Sequence, residues 1–388
     1  MIKKLYIEPT SRCNLNCVMC FRNSWIDENF GDLPMPIFYK VMNDEAALKE
    51  THTIFFGGMG EPLAHPHIIE MITCCREKGL RTELLTNGTM LTTDTSQALV
   101  DAGLDKLWVS IDSFEEEQYG EIQVGSRFSL ITQQIQEFNR IRQGMGIELG
   151  ISIVLMKSNL PQLSRMDAYC EKIKADDVNL SHMIPNTSEA AEDTLWQLTE
   201  RAESMVESDY WNSEFLTIGN GETAVEEEAG NSTAARFRFL SEDFERLYGG
   251  NPIESMVNEK LEIVWRGKVP ERTKNRCRFV AEGNCFVRWD GDVCPCMGLL
   301  HSAATYMNRD RRTVWHYSFG NVESQSLHEI WNREEFRGFR ERVIQFEFSP
   351  CTSCGGCELR QENKADCFGN LEPTCGACLW GQGFVRCP

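Results

Sequence analysis

The sequence contains few basic residues and no long apolar run. Acidic residues outnumber basic ones by 58 to 39, and the net charge is −19. A surface that follows the phosphates of a nucleic acid needs the opposite balance, so we do not expect a nucleic acid partner. No stretch is apolar enough to span a bilayer, and residues 1–9 include two lysines but no signal-peptide core. The sequence therefore predicts a cytoplasmic protein without a membrane partner.

The sequence also lacks low-complexity tracts, and its composition is that of a globular protein. Hydrophobic residues make up 41% of the chain and charged residues 25%. A chain of 388 residues is too long for one ordinary core, so we expect one large domain and a smaller one. Seventeen cysteines are many for this length. In a reducing compartment such clusters bind metal or perform chemistry more often than they form disulfides, so metal binding is expected.

A fourth cysteine is missing from the N-terminal cysteine motif. The stretch SRCNLNCVMCFRN, residues 11–23, contains Cys13, Cys17 and Cys20, with gaps of three and then two residues. Three thiolates do not close a tetrahedral site, but they can hold three irons of a four-iron cluster and leave the remaining iron open to an outside ligand. Because an open iron is reactive, the motif predicts chemistry rather than a structural metal site.

Short apolar runs alternate with helix-length segments in the first half of the chain. The predicted strands are 3–9, 51–58, 81–88, 105–112, 147–155 and 176–185, and the segments between them include 35–50, 65–78 and 128–143. This rhythm predicts a parallel α/β sheet that is either open and doubly wound or curled into part of a β/α barrel. Functional loops lie at the carboxyl ends of such strands, and the three-cysteine loop directly follows the first strand.

The alternation of predicted strands and helices stops near residue 190, and the chain divides into three predicted parts. Residues 1–190 form the α/β domain, and residues 191–269 form an acidic connector with a helical segment. The connector includes the run TAVEEEAGNST at 223–233. Residues 270–388 contain eleven of the seventeen cysteines, so we expect a second domain that metal holds together.

The C-x3-C-x2-C motif resembles that of the radical S-adenosylmethionine (SAM) superfamily, with aromatic Phe21 after the last cysteine. The resemblance implies a partial (β/α)6 barrel in which Cys13, Cys17 and Cys20 hold a 4Fe–4S cluster. It also implies that SAM chelates the open iron through its amino and carboxylate groups. Reductive cleavage of SAM would then give a 5′-deoxyadenosyl radical that abstracts hydrogen from a substrate.

Further residues match this superfamily in the same order along the predicted strands. The turn GGMGEP at 57–62 resembles its glycine-rich turn, TNG at 86–88 ends the third strand, SID at 110–112 ends the fourth, and NLSHMIP belongs to the sixth. The resemblance implies cofactor-binding roles for Gly57, Gly58, Gly60, Glu61, Pro62, Asn87, Ser110, Asp112 and His182. Taken singly, each of these motifs also fits an ordinary turn or a helix cap.

The cysteines near the C-terminus allow more than one kind of metal site. The pairs Cys351-x2-Cys354 and Cys375-x2-Cys378 are twenty residues apart, which fits a zinc ribbon but leaves many thiols unused. Cys357 extends the first pair to C-x2-C-x2-C, as in bacterial ferredoxins. Residue 361, where such a ferredoxin motif has its next cysteine, is glutamine.

The C-terminal part is more similar to the SPASM extension of radical SAM enzymes, which binds two auxiliary 4Fe–4S clusters. The first part of this extension is matched by Cys277, Gly291 and Cys296, and the second by the cysteine-rich segment from Cys351 to Cys387. The gaps after Cys354, of two and then nine residues, depart from the commonest pattern of the extension. The ligands that this resemblance implies are Cys277, Cys285, Cys296, Cys351, Cys354, Cys357, Cys367, Cys375, Cys378 and Cys387.

Some details of this resemblance stay open. Two closed clusters need about eight ligands, and of the eleven thiols Cys285 and Cys294 are the least secure by position. Met297 stands where many peptide-oxidising SPASM enzymes have an acidic base, so no catalytic base is assigned. We expect the remaining cysteines, Cys74, Cys75 and Cys170, to be small buried hydrophobic residues within helices.

The tail from residue 351 to 388, together with FVRWDGDVCPCMGLLHS before it, resembles one SPASM subgroup, the maturases of tungsten-cofactor oxidoreductases. The resemblance implies three 4Fe–4S clusters, SAM, and an electron donor such as ferredoxin or flavodoxin. The implied substrate is an oxidoreductase of the aldehyde ferredoxin oxidoreductase type, or its pterin cofactor. A peptide-modifying SPASM enzyme, a multi-cluster electron carrier and a zinc-ribbon interaction protein remain as alternatives.

Overall fold

A computed structural model describes residues 1–26, 29–195, 276–307, 310–352, 354, 357–385 and 387–388. The predicted acidic connector, from residue 196 onward, lies outside the described residues, as does its run at 223–233.

Strands and helices alternate through the first half of the chain, as the sequence predicts. The strands are β1 (Lys4–Ile7), β2 (Thr53–Phe56), β3 (Arg81–Thr86), β4 (Lys106–Ser110), β5 (Glu148–Leu155) and β6 (Asp177–His182). The helices are α1 (Met35–Met42), α2 (Glu45–Leu48), α3 (Ile68–Glu77), α4 (Thr93–Ala102), α5 (Glu116–Ile122), α6 (Phe128–Ile141), α7 (Met166–Lys172) and α8 (Ser188–Glu192).

The C-terminal part adds shorter elements. These are α9 (Arg278–Ala281), β7 (Asn284–Val287), β8 (Val293–Cys294), β9 (Ala303–Met307), β10 (Asp310–Val314), α10 (Leu327–Asn332) and α11 (Glu334–Gln345). The helix α10 begins with a capping box in which Ser326 and Glu329 satisfy each other's backbone N–H groups. The strands β9 and β10 pair antiparallel as a separate ribbon.

The order of the strands decides between the two predicted architectures. The main sheet runs β6-β5-β4-β3-β2-β1-β7-β8, and β1 to β6 are parallel neighbours in chain order. A doubly wound sheet reverses its order partway, whereas sequential parallel strands with right-handed crossovers carry their helices on one face and curl. The partial β/α barrel is therefore confirmed.

Local sequence explains how the barrel helices begin, end and pack. Thr92 caps α4 by accepting a hydrogen bond from the backbone of Thr95, and Gly103 ends it at a φ of 84°, which suits glycine. The helix α6 buries Ile131, Ile135 and Phe138, which are spaced along one face. The strands β1, β2 and β4 are almost completely buried, whereas buried and partly exposed residues alternate along β3.

The C-terminal part is joined to the barrel at both edges of its sheet. The strand β7 pairs parallel with β1, with Leu5 opposite Cys285, and β8 turns back antiparallel. At the other edge, the backbone N–H of His182 in β6 donates to the carbonyl oxygen of Phe384 at 3.1 Å. The hydroxyl of Tyr6 donates to the carbonyl oxygen of Pro388 at 2.8 Å. The predicted border at residue 270 therefore separates two parts that share one sheet.

None of the helices in the described ranges has both the length and the apolar character that a membrane crossing requires.

Candidate functional site

The three-cysteine loop lies where β1 ends and is held by backbone groups from other elements. The N–H of Val18 donates to the carbonyl oxygen of Ile122 at 3.0 Å. The buried amide of Asn186 donates to the carbonyl oxygens of Val18 and Cys20, at 3.1 and 2.8 Å. The loop is therefore fixed by the segments that follow α5 and β6, which belong to the carboxyl-end face of the barrel.

The three thiols of this loop lie within electrostatic reach of one another. All three are partly exposed. Burial raises the pKa of the Cys17 thiol, and the neighbouring Cys20, Asp112 and Cys13 raise it further. Burial also raises the pKa of Cys20, with Cys13 adding to the effect. The structure thus brings together the three cysteines that the sequence singles out.

The cysteine loop offers three thiols, the number that a 4Fe–4S cluster with one open iron needs. Across the described ranges, no three His, Cys, Asp or Glu side chains are close enough together to hold one metal ion. A 4Fe–4S cluster is larger than one ion and takes one thiolate at each iron. Three partly exposed thiols of one loop, each with an electrostatic neighbour among the others, match that requirement.

The glycine-rich turn packs directly against the chain that leads into the cysteine loop. A Cβ atom on Gly60 would lie 2.0 Å from the carbonyl oxygen of Thr10, and one on Gly58 would lie 2.6 Å from Cγ of Glu8. The N–H of Glu61 donates to the carbonyl oxygen of Arg12 at 2.7 Å. Glycine allows such a close approach because it has no side chain, and here the approach is to the chain itself.

Glu61 and Asn87 connect this turn to the third strand. The buried carboxylate of Glu61 accepts hydrogen bonds from Thr86 Oγ1 at 2.7 Å and from the N–H of Asn87 at 2.8 Å. Burial raises the pKa of Glu61. The amide of Asn87 in turn donates to Cys13 Sγ at 3.7 Å and to Asn14 at 3.0 Å. Glu61 therefore positions Asn87 beside the first cysteine, and buried Pro62 continues the turn as a short 3-10 helix.

Ser110 and Asp112 lie together where β4 ends. Asp112 is buried, and its carboxylate accepts from the N–H of Val154 at 2.7 Å, from Gln123 Nε2 at 2.9 Å and from Ser110 Oγ at 3.5 Å. Burial raises the pKa of Asp112 to about 7, against the opposing effect of these bonds. Gln123 was not foreseen, because a lone glutamine after a short helix gives no sequence signal.

His182 ends β6 beneath the C-terminal tail. Its ring meets the ring of Phe384 edge-on, with the ring centroids 5.7 Å apart. His182 thus lies where the barrel and the C-terminal part meet rather than on an open rim.

The C-terminal cysteines form two groups, of which the first is mostly buried, with Cys378 and Cys387 partly exposed. This inner thiol group consists of Cys277, Cys296, Cys375, Cys378 and Cys387. Burial raises the pKa of each of these thiols, and nearby thiols of the same group raise it further for Cys277, Cys296, Cys375 and Cys387. Cys277 and Cys387 also line a cavity of about 240 Å³ beside Tyr6. This cavity lies between the C-terminal part and residues of β1 and β6.

The second group lies near the surface. This outer thiol group consists of Cys351, Cys357 and Cys367, and we include Cys354 because it lies three positions from both Cys351 and Cys357 in the sequence. Burial raises the pKa of Cys351, and Cys367 and Cys357 add to the effect. Three of the four thiols are exposed and Cys351 is partly exposed. Four thiols are the number that one closed 4Fe–4S cluster requires.

The other cysteines are spread through the core. Cys285, which the sequence includes among the ligands, lies in β7, and no thiol of either group is among the residues that shift its pKa, which burial raises to about 12. Cys294 is buried in β8, where burial raises its pKa. Cys75 and Cys170 are buried as predicted, while Cys74 is partly exposed.

A buried contact between a glutamate and a histidine, which the sequence did not reveal, joins the two parts of the chain. Both carboxylate oxygens of Glu8 lie 3.1 Å from Nε2 of His301, and the N–H of Met59 donates to Glu8 at 2.9 Å. Trp25 stacks on His301, with ring centroids 4.0 Å apart. His301 also lines a small enclosed space with Met297, between the cysteine loop and the inner thiol group.

Comparisons with known proteins agree with this geometry. The profile of the radical SAM superfamily matches residues 7–156, and that of the SPASM domain, an iron–sulfur cluster-binding domain, matches residues 277–358. The chain is 29% identical over 400 residues to the tungsten-containing aldehyde ferredoxin oxidoreductase cofactor-modifying protein of Pyrococcus furiosus, covering 100% of this chain and 97% of that relative.

More distant relatives share the whole arrangement. The PqqA peptide cyclase of Methylocella silvestris is 25% identical over 384 residues, covering 95% of this chain and 87% of that protein. The structure of SuiB from Streptococcus suis with bound SAM matches with a TM-score of 0.56 at 18% identity, over 92% of this chain and 71% of SuiB. That of anSMEcpe with bound SAM matches with a TM-score of 0.56 at 17% identity, over 98% and 95%.

The two matched segments contain the three-cysteine loop and the first cysteines of both thiol groups, and the described fold is that of these solved structures. The chain belongs to the radical SAM superfamily and is a radical SAM enzyme with a C-terminal SPASM domain.

Proposed function

We propose that this enzyme cleaves SAM on a cluster held by Cys13, Cys17 and Cys20 and modifies a tungsten-cofactor oxidoreductase of the aldehyde ferredoxin oxidoreductase type, at its protein or its pterin cofactor. The observation that supports the SAM site best is that three thiols lie near one another at the end of β1, with Asn87 donating a hydrogen bond to Cys13 Sγ. When bound, the cluster and SAM supply reductive cleavage of SAM and hydrogen abstraction from the substrate.

The residues of the chain hold and enclose this chemistry. Asn186 fixes the carbonyl groups of the cysteine loop, and the turn at 57–62 presents its backbone next to that loop. We assign the SAM amino group to this turn, the ribose or carboxylate of SAM to Ser110 and Asp112, and the adenine to the neighbourhood of His182. The tail over His182 supports this proposal because it covers that end of the barrel from water.

Two auxiliary 4Fe–4S clusters complete the proposed set of three. The outer thiol group supplies four ligands to one of them, and the inner thiol group supplies the ligands of the other, with one of its five thiols in excess. The placement of Cys285 within β7 supports a structural role for it, so the clusters do not need this residue. Exposure of the outer group suits an electron donor such as ferredoxin or flavodoxin.

The substrate proposal is supported by the match to the cofactor-modifying protein over the whole chain. The test is to isolate the tungsten oxidoreductase from cells that contain this gene, from cells that lack it, and from cells that carry it with Cys13, Cys17 and Cys20 replaced by Ala. We expect a difference in intact mass, cofactor content or activity, with the triple variant matching the deletion. An identical oxidoreductase from all three strains would refute the maturase role.

A second candidate function is modification of a small ribosomally made peptide. Its support is the similarity to a PqqA peptide cyclase over 95% of the chain. This candidate predicts a short peptide gene next to this one, and a mass change in that peptide when it is incubated with the enzyme, SAM and a reductant. An unchanged oxidoreductase together with a modified peptide would establish it.

A further inference from the structure

A buried arginine lies between the two thiol groups of the SPASM domain. Arg312 belongs to β10, where it is 6% exposed while its neighbour Arg311 is exposed. Its Nη1 donates to the carbonyl oxygen of Ala377 at 3.2 Å, in the segment between Cys375 and Cys378 of the inner group. Its side chain also lines a cavity with Cys357 of the outer group. Arg312 is thus in contact with the surroundings of both groups.

The hydrogen bonding of Arg312 is incomplete. Its Nη2 lies 3.5 Å from the carbonyl oxygen of Glu362, which is a long contact. Its Nε is buried and has no hydrogen-bond partner among the described residues. Buried polar groups are nearly always satisfied, so an unpartnered guanidinium N–H at this place points to an acceptor that the polypeptide does not supply.

Thiol groups are the main neighbours that favour the charged form of Arg312. Burial lowers the pKa of this guanidinium, and the thiols of Cys378, Cys351 and Cys375 oppose that effect. After burial, the largest contributions come from these thiols and from Arg360, whose charge lowers the pKa of Arg312. The other buried arginine nearby, Arg360, differs because it pairs with Asp310.

The chemistry of the cysteines decides whether this charge is balanced. An isolated buried cation is strongly unfavourable, and protonated thiols offer no negative charge. Cysteines that ligate a cluster are thiolates, and the cluster with its thiolates carries net negative charge. Arg312 is therefore compensated when clusters occupy both groups, and reduction adds further negative charge beside it.

We propose that Arg312 is a positioning residue shared by the two auxiliary clusters, which holds its positive charge between them and raises the reduction potential of each. The proposal rests on the assignment of the inner and outer thiol groups as cluster ligands. Net charge and hydrogen bonds to sulfur are among the factors that set cluster potentials. Each reduction adds one electron from a donor of the ferredoxin or flavodoxin class, and Arg312 itself gains and loses neither an electron nor a proton.

The test uses the full chain with Cys13, Cys17 and Cys20 replaced by Ala, so that only auxiliary clusters contribute to the signal. In this parent, Arg312→Gln removes the charge but keeps an N–H donor, and Arg312→Lys keeps the charge. Arg311→Gln is the matched control, since it removes the same charge from the adjacent exposed position. Iron is counted in each variant, and the auxiliary clusters are titrated anaerobically with detection by electron paramagnetic resonance.

At a fixed applied potential, we expect Arg312→Gln to lower the ratio of reduced to oxidised cluster about tenfold at both sites. This corresponds to a fall of about 59 mV in the reduction potential of each cluster, for a one-electron couple. Arg312→Lys should shift the potentials less, and Arg311→Gln should leave them unchanged. Unchanged potentials in Arg312→Gln, a shift at one site only, or an equal shift in the Lys or Arg311 variant would overturn the proposal.

Loss of iron is also informative. If Arg312→Gln loses iron from both sites while Arg312→Lys keeps both clusters, the requirement for charge is supported. Loss from one site only, or equal loss in the Lys variant, would show a structural role and overturn the proposal. Absence of auxiliary iron in the parent itself would instead refute the assignment of the two thiol groups.

Discussion

Asp112 is a buried carboxyl group beside the three-cysteine loop, and its environment makes stability depend on pH. Burial raises its pKa from 3.8 to about 7. The folded protein therefore keeps a proton that the unfolded chain releases, so the free energy of unfolding falls as pH rises from about 4 to about 7 and levels off above that. The full difference is on the order of 4 kcal/mol, at about 1.4 kcal/mol per pKa unit.

Replacing Asp112 by Asn removes this titration, so the loss of stability between about pH 5 and pH 7 should become smaller. The measurement is the thermal midpoint against pH under anaerobic conditions, in a background with Cys13, Cys17 and Cys20 replaced by Ala so that no cluster charge adds to the effect. The exposed Asp101→Asn is the control and should keep the parent slope. An identical slope for Asp112→Asn would contradict the raised pKa.

Single residues also show where sequence reasoning stops. Cys13, Cys17 and Cys20 are predictable because their spacing is local and matches one chemistry. The Glu8–His301 pair is not, since its members are 293 positions apart and neither lies in a recognisable motif. Asn186 and Arg312 are hidden for the same reason, because their partners are brought to them only by the fold.

The cysteine loop is the element on which SAM binding depends, and it has no regular secondary structure until Phe21. Its N–H groups donate hydrogen bonds to backbone carbonyls at the end of α5 and just after it. Its carbonyl groups accept hydrogen bonds from the side chain of Asn186. Loops of this kind open more easily than strands, so the lifetime of the cluster should follow the stability of these anchors.

Asn186→Ala tests this anchoring. It removes a hydrogen bond to each of two partly buried carbonyl groups, of which that of Cys20 keeps a donor in the N–H of Asn23, and a chelator should therefore remove iron from the N-terminal cluster faster. The control is Asn332→Ala, which removes an exposed amide-to-carbonyl bond at His328 and should leave the rate unchanged. Equal iron release in both variants would show that Asn186 does not hold the loop.

Elements were predictable where their pattern is local. Each of β1 to β6 lies inside its predicted range, because apolar runs bounded by turns identify buried strands. The predicted segment 35–50 instead contains two helices, since Asn43 ends α1 and Asp44 caps α2. The strand β7 was missed as a neighbour of β1, because four residues give little signal and the pairing spans most of the chain.

At the scale of the whole molecule, the barrel and the SPASM domain share one sheet in the described residues. The sheet continues from β1 to β7, and the tail returns to Lys4 and Tyr6 through the carbonyl oxygen of Pro388. Deleting residues 270–388 would therefore expose the edge of β1 as well as remove the auxiliary ligands. Point replacement of cysteines separates these effects, whereas truncation does not.

Replacing Cys351 and Cys354 by Ala should remove auxiliary iron and reduce solubility, because metal–thiolate bonds contribute folding energy in cysteine-dense domains. The N-terminal cluster should still form, since its ligands lie in the barrel. Iron and zinc are measured together in the purified variant. Stoichiometric zinc with an unchanged iron count would favour a zinc ribbon in this region instead.

The central claim is that Cys13, Cys17 and Cys20 hold the cluster on which SAM is cleaved. The most direct measurement is 5′-deoxyadenosine formation by anaerobically purified protein given SAM and a strong reductant, with iron counted in the same sample. The intact protein should carry about twelve irons, as three four-iron clusters require, and form 5′-deoxyadenosine. Replacing the three cysteines together by Ala should abolish the product and leave about eight irons. Continued cleavage of SAM by that variant would contradict the account.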